Sequence, residues 1–178
     1  YYHLGTGKLY AIDSNSLNFP NESYITDSRK SKLLISDDGQ RIFFSYKIKD
    51  TTIEPNTGSA VQIWNGNDKW VYSDEQNMGQ FEKSPKTAMW NPFLRIVVAV
   101  TDAGLPSLKL SGDQRYALLS SPKAYEPQWE MDSPRDFYIM NLETSEKKLC
   151  IEKQDAQPRN TLLSPTGKYI AYFKADNW

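Results

Sequence analysis

Apolar residues along this chain fall in runs of four to six, separated by turns of Ser, Gly, Asp and Pro. Three stretches repeat one pattern: LLISDDGQRIFF (residues 33–44), LKLSGDQRYALL (108–119) and LLSPTGKYIAYF (162–173). Aligned on Ser36, Ser111 and Ser164, each gives an apolar run, the Ser and a turn containing Gly. A polar residue, then Arg, Lys or Tyr, leads into a second apolar run. The middle copy moves its Gly forward, to Gly112. Glycine supplies positive φ and Asp tolerates the left-handed region, so such turns are hairpin signals. Each stretch therefore predicts two adjacent antiparallel strands.

A second pattern alternates with the first. KLYAID (8–13) precedes a polar turn, and DFYIMNL (136–142) precedes ETSEK and then KLCI (148–151). KTAMWNP (86–92) followed by IVVAV (96–100) is a looser copy. Each reads as strand, turn, strand. Neighbours along FYIMNL face opposite sides of a sheet and are nearly all apolar, which predicts strands covered on both faces. Two alternating hairpins make a unit of four short antiparallel strands, the sheet of a β-propeller blade.

The expected fold is all-β: a partial β-propeller of four-stranded antiparallel blades spanning residues 1–178. Residues 1–30 are assigned to the end of one blade and 31–104 to a blade with a polar insertion at 65–85. Residues 105–157 form a blade with an insertion at 121–135, and 158–178 begin the next. The uneven spacing requires the insertions. Ser36 and Ser111 lie 75 positions apart, and Ser111 and Ser164 lie 53 apart. A blade usually takes about 40–50 residues. Within the first insertion only residues 74–83 suggest a helical turn, and Gly79 opposes it. The second insertion has three Pro and predicts an irregular excursion.

Composition narrows the setting. Hydrophobic residues make up 39% of the chain and aromatics 13%, enough for a packed core. A formal net charge of −1 and no basic stripe argue against nucleic acid or an anionic membrane as partner. No apolar run approaches the roughly 18 residues of a membrane-spanning helix. The opening YYHLGTGK has neither the basic nor the apolar part of a signal peptide, and no initiator Met. Cys150 is the only cysteine, so no intrachain disulfide and no thiolate zinc cluster can form. This excludes a disulfide-built miniprotein but not an exported protein. Asn21-Glu22-Ser23 fits a glycosylation sequon, a triplet common by chance.

SPTGKYIAYF, ISDDGQRIFFS and RDFYIMNLETSEKK resemble the repeats of TolB-type propellers. They are still more similar to the N-terminal propeller of the prolyl oligopeptidase family, which includes dipeptidyl peptidase IV. AVQIWNGNDKWVYSDEQ (60–76) followed by KTAMWNP resembles a blade of large exported peptidase-like members of that family. The resemblance implies a propeller that gates or orients peptide substrates over a separate α/β-hydrolase domain. It also implies a periplasmic or extracellular location. The catalytic Ser, Asp and His of that family belong to the hydrolase domain. This chain has no G-x-S-x-G elbow, and its one histidine is His3. It is expected to be a non-catalytic fragment without cofactor or metal, whose partner is a peptide or protein. A TolB-like binding propeller with no enzymatic domain is the alternative. Open sheet edges of such a fragment predict association with further copies.

Individual candidates are weaker. Gly5-Thr6-Gly7-Lys8 fails the phosphate-loop pattern, having Tyr2 where a Gly is needed and Leu9 where Ser or Thr is. It reads as a turn before a strand. Asp37-Asp38 lacks the alternating carboxylates of a calcium loop and reads as a solvated hairpin turn. Glu126, Glu130 and Asp132 cluster in the second insertion. In dipeptidyl peptidase IV, propeller glutamates hold the substrate amino terminus, which makes Glu126 and Glu130 candidate ligand contacts. Trp64, Trp90 and Trp178 sit in strand-like runs and are expected in the core. Trp70 and Trp129 lie in the insertions and are candidates for stacking on a sugar or anchoring a partner. His3 is expected to fray with the terminus.

Overall fold

The structure, a computed structural model, describes residues 1–13, 16–27, 33–49, 81, 83–122, 125, 134–157 and 159–174. Among the described residues there are thirteen strands and no helix, and all the strand pairs are antiparallel. The insertions at 65–85 and 121–135, and the expected helical turn within the first, lie largely outside these residues.

The chain opens with a hairpin of β1 (Tyr2–His3) and β2 (Lys8–Leu9). Gly5-Thr6-Gly7 is therefore its turn, with Gly7 at φ 65°. This corrects the reading of residues 8–13 as a first arm, because Lys8 and Leu9 are the second arm and pair back to His3 and Tyr2.

The first large sheet runs β3 (Ser23–Thr26), β5 (Ile42–Ile48), β6 (Lys86–Asn91), β7 (Ile96–Ala99). β4 (Leu34–Ile35) also pairs with β5. β3 takes positions 45–48 of β5 and β4 takes positions 42–43, so the two lie end to end along one edge. The expected division at residues 30–31 falls inside this sheet, which begins at Ser23. A hydrogen bond from Lys49 N–H to the Glu22 carbonyl extends the pairing by one rung.

The second large sheet is a plain meander. β8 (Ser107–Leu110), β9 (Tyr116–Ser120), β10 (Arg135–Asn141) and β11 (Lys147–Gln154) pair in sequence order. β12 (Thr161–Leu163) and β13 (Ile170–Tyr172) form a final hairpin.

Alternation on β5 explains how these sheets pack. Ile42, Phe44 and Tyr46 join Ala88, Trp90, Val97 and Phe19 in one core, against Tyr1, Tyr10 and Ile12. Phe43, between them, joins Met89, Val100, Ala117, Leu119, Met140 and Leu142 in another. The first core lies toward the β1–β2 hairpin and the second between the two large sheets. Both faces of β5 are thus dry, as the doubly apolar run IFFSY requires. Each fully buried side chain of this size contributes about 1.5–3 kcal/mol relative to exposure. Trp90 is in the core, as its sequence setting suggests.

Polar groups fasten the last hairpin. Gln154, with no exposed surface, donates through Nε2 to the carbonyls of Asn160 (3.2 Å) and Phe173 (2.7 Å). Lys109 Nζ on β8 reaches the Thr161 carbonyl at 3.0 Å.

Candidate functional site

The repeated Ser occupies the same place in three turns of one geometry. Its Oγ accepts the N–H of the residue five positions on: Arg41 at 2.9 Å, Tyr116 at 3.0 Å, Tyr169 at 3.1 Å. Its N–H donates back to the carbonyl of that same residue in each case. In the first two turns the hydroxyl also donates, at 2.6 Å, to the carboxylate two positions on, Asp38 or Asp113. Thr166 takes that position in the third. Burial pushes Asp38 and Asp113 up, but the hydrogen bonds and the neighbouring arginine outweigh it and hold both below the ordinary carboxylate value. The Asp38 oxygens are consumed inside the turn by Ser36, Gln40 and Arg41. Asp37 points elsewhere, so the adjacent pair does not converge.

The left-handed residue is the fourth of each turn: Gly39 (φ 69°), Gln114 (φ 51°) and Gly167 (φ 69°). Gly112 is therefore not a displaced turn glycine, which corrects the alignment made from sequence. It is small because the next turn lies against it: a Cβ there would overlap the Pro165 carbonyl. A Cβ on Gly167 would overlap the Asp113 carboxylate. The three turns thus stand in a row, the first touching the second and the second the third.

Between the second and third turns a cavity of about 480 Å³ opens, with Asp113, Arg115, Ile139, Leu163, Lys168 and Tyr169 in its lining. It offers charges of both signs beside apolar walls, which suits recognition of a polar chain. Ser111 and Ser164, in the two turns that flank it, have their hydroxyls engaged by backbone N–H groups.

A second family of turns joins the outer strands. Asn91 Oδ1 accepts the N–H groups of Phe93 and Leu94, and Asn141 Oδ1 those of Glu143 and Thr144. In the β1–β2 hairpin His3 does this work: its Nδ1 accepts Thr6 N–H at 3.1 Å. The residue four positions on is left-handed in all three, at Gly7, Arg95 and Ser145. His3 also packs edge-on against Tyr1 and Phe93. It is a structural cap, not a frayed end. Its ring shows that a turn-capping acceptor need not be Asn, a role the sequence pattern did not reveal.

Trp70, Trp129, Glu126 and Glu130 lie outside the described residues, as do Trp64, Trp178 and Asp132. Among the described residues no three His, Cys, Asp or Glu side chains are grouped to hold a metal ion. No helix there is long and apolar enough to cross a membrane. No protein-family model matches the sequence, and no curated protein matches it either.

Proposed function

We propose that this chain forms consecutive blades of a β-propeller, serving as the non-catalytic, peptide-orienting part of a serine peptidase of the prolyl oligopeptidase family. The chemistry would reside in a hydrolase domain elsewhere in the parent protein, and the location would be periplasmic or extracellular. The observation that supports this reading is the succession of sheets. A five-stranded sheet (β3–β7), in which β3 and β4 share one edge, and a four-stranded sheet (β8–β11) pack face to face; in each a Ser-turn leads into the strand beside that edge, β5 or β9, and an Asn-turn precedes the last strand. A hairpin of the Asn-turn type precedes them and one of the Ser-turn type follows. Blades stacked around an axis have this order. The motif resemblance adds the peptidase assignment.

A TolB-like binding propeller without an enzymatic partner is the second reading, favoured by the same turns. The parent gene separates the two. A G-x-S-x-G elbow downstream, with cleavage of Gly-Pro or Ala-Pro chromogenic substrates by the parent but not by residues 1–178, is the expected result. A parent that ends once the propeller closes gives the binding reading. Activity of the 178-residue chain that survives repurification overturns the non-catalytic assignment.

A further inference from the structure

Two loops make equivalent contacts in consecutive units. The loop after β7 reaches β11, where Lys147 Nζ donates to the Asp102 carboxylate at 3.0 Å. The loop after β2 reaches β7, where Val97 N–H donates to the Leu17 carbonyl at 3.0 Å. In the former a loop acid meets a strand cation. In the latter a loop carbonyl, that of Leu17, meets a strand N–H.

A cavity of about 600 Å³ lies beside this second contact. Lys8, Tyr10, Leu17, Trp90, Leu94 and Arg95 are among its lining residues, and no acid among the described residues lines it. Lys8 and Arg95 have no ion-pair partner among the described residues. Arg95 stands at φ 57°, where the sister turns place Gly7 and Ser145, so a large cation occupies a backbone position that favours small residues. Trp90 is buried, whereas Leu17 and Leu94 are 62% and 66% exposed.

We propose that this cavity binds a carboxylate carried on an apolar body of about dipeptide size. The Arg95 guanidinium and Lys8 ammonium take the carboxylate, an ion pairing of the kind that Lys147 makes with Asp102. Leu17 and Leu94 take the apolar portion. A guanidinium fork matches a carboxylate in two parallel hydrogen bonds. The volume falls in the range of small-ligand sites, about 300–1,000 Å³. The site requires no peptidase activity and stands apart from the propeller assignment.

Calorimetric titration of the 178-residue chain tests it, with N-acetyl-Phe-Leu, the C-terminal amide of the same dipeptide, and octanoate. The acid should bind saturably at one site, and the amide about tenfold or more weaker. Arg95→Gln and Lys8→Gln should each weaken the acid by about tenfold, while Arg159→Gln, outside the cavity, should not. Octanoate binding as well as the peptide supports the site with a fatty carboxylate as source. Octanoate failing while the peptide binds supports it with a peptide terminus. Equal binding of acid and amide, an unchanged affinity in both cavity variants, or no saturation up to about 5 mM overturns it.

Discussion

Asp37 and Gln114, 77 positions apart, exchange two hydrogen bonds: Asp37 N–H donates to Gln114 Oε1 at 3.0 Å, and Gln114 Nε2 donates to the Asp37 carboxylate at 3.4 Å. Gln114 also donates to the Gly112 carbonyl within its own turn. One side chain therefore ties the first Ser-turn to the second while its backbone sits in the left-handed region. The expected cost of Gln114→Ala is about 1–2 kcal/mol, since it loses these bonds and keeps the unfavourable φ. Gln114→Gly should cost less, because glycine relieves the backbone. Urea unfolding of the two variants checks the order, and an Ala variant as stable as wild type would contradict it.

Gly112 and Gly167 make a paired test of the second turn contact. Gly112→Ala drives a methyl into the Pro165 backbone, which cannot rotate aside. Gly167→Ala meets the Asp113 side chain and also needs φ 69°. Both should destabilise by about 2–3 kcal/mol. Asp113→Ala should rescue part of the Gly167→Ala loss and none of the Gly112→Ala loss. A double-mutant cycle with no coupling between positions 113 and 167 would refute the contact.

Acid should loosen the turns. Asp38, Asp102 and Asp113 are pushed up by burial, but hydrogen bonds from Ser36, Lys147 and Ser111 respectively, with backbone N–H groups and the nearby cations, outweigh it. Each therefore lies below 3.8 in the folded chain. A depressed folded value gives stability that is present above the unfolded pKa and is lost as pH falls through the folded one. Denaturation midpoints should hold steady above about pH 5 and decline below about pH 4. Asp38→Asn and Asp102→Asn should flatten that decline. A midpoint that rises on acidification would contradict the assignment.

His3 should be replaceable by Asn and not by Ala. Asn91 and Asn141 cap the sister turns through the same acceptor position, so His3→Asn should keep the cap and lose only the ring packing. His3→Ala should lose both, at about 1 kcal/mol or more, by analogy with other side-chain caps. Thermal unfolding would show it, and equal midpoints for the two variants would count against the capping role.

The Ser-turn repeat was legible because its geometry depends on short-range features: a hydroxyl, a carboxylate or hydroxyl two positions on, and mostly a Gly at the left-handed position. The copy at Ser111 misled for a physical reason. Gln114 tolerates the left-handed region while bonded to a neighbouring turn, and Gly112 answers a contact with Pro165 that no local pattern records. The same holds for β3 and β4. Their pairing with successive parts of β5 is a long-range fact that no local pattern records. His3 was hidden because chain ends usually fray, whereas here Tyr1 and Phe93 pack against it. The arginine-lined cavity could not be seen in sequence at all, since only folding brings Lys8 and Arg95 to one cavity.

Phe43 and Phe44 are joined by one peptide bond and belong to different hydrophobic cores. β5 is therefore a partition wall between two sealed rooms. Shaving Phe44 opens the room shared with the N-terminal hairpin, and shaving Phe43 opens the one shared with the β8–β11 sheet. Methyl groups in the two rooms would report such damage separately, so adjacent letters of the sequence carry news of opposite sides of the molecule.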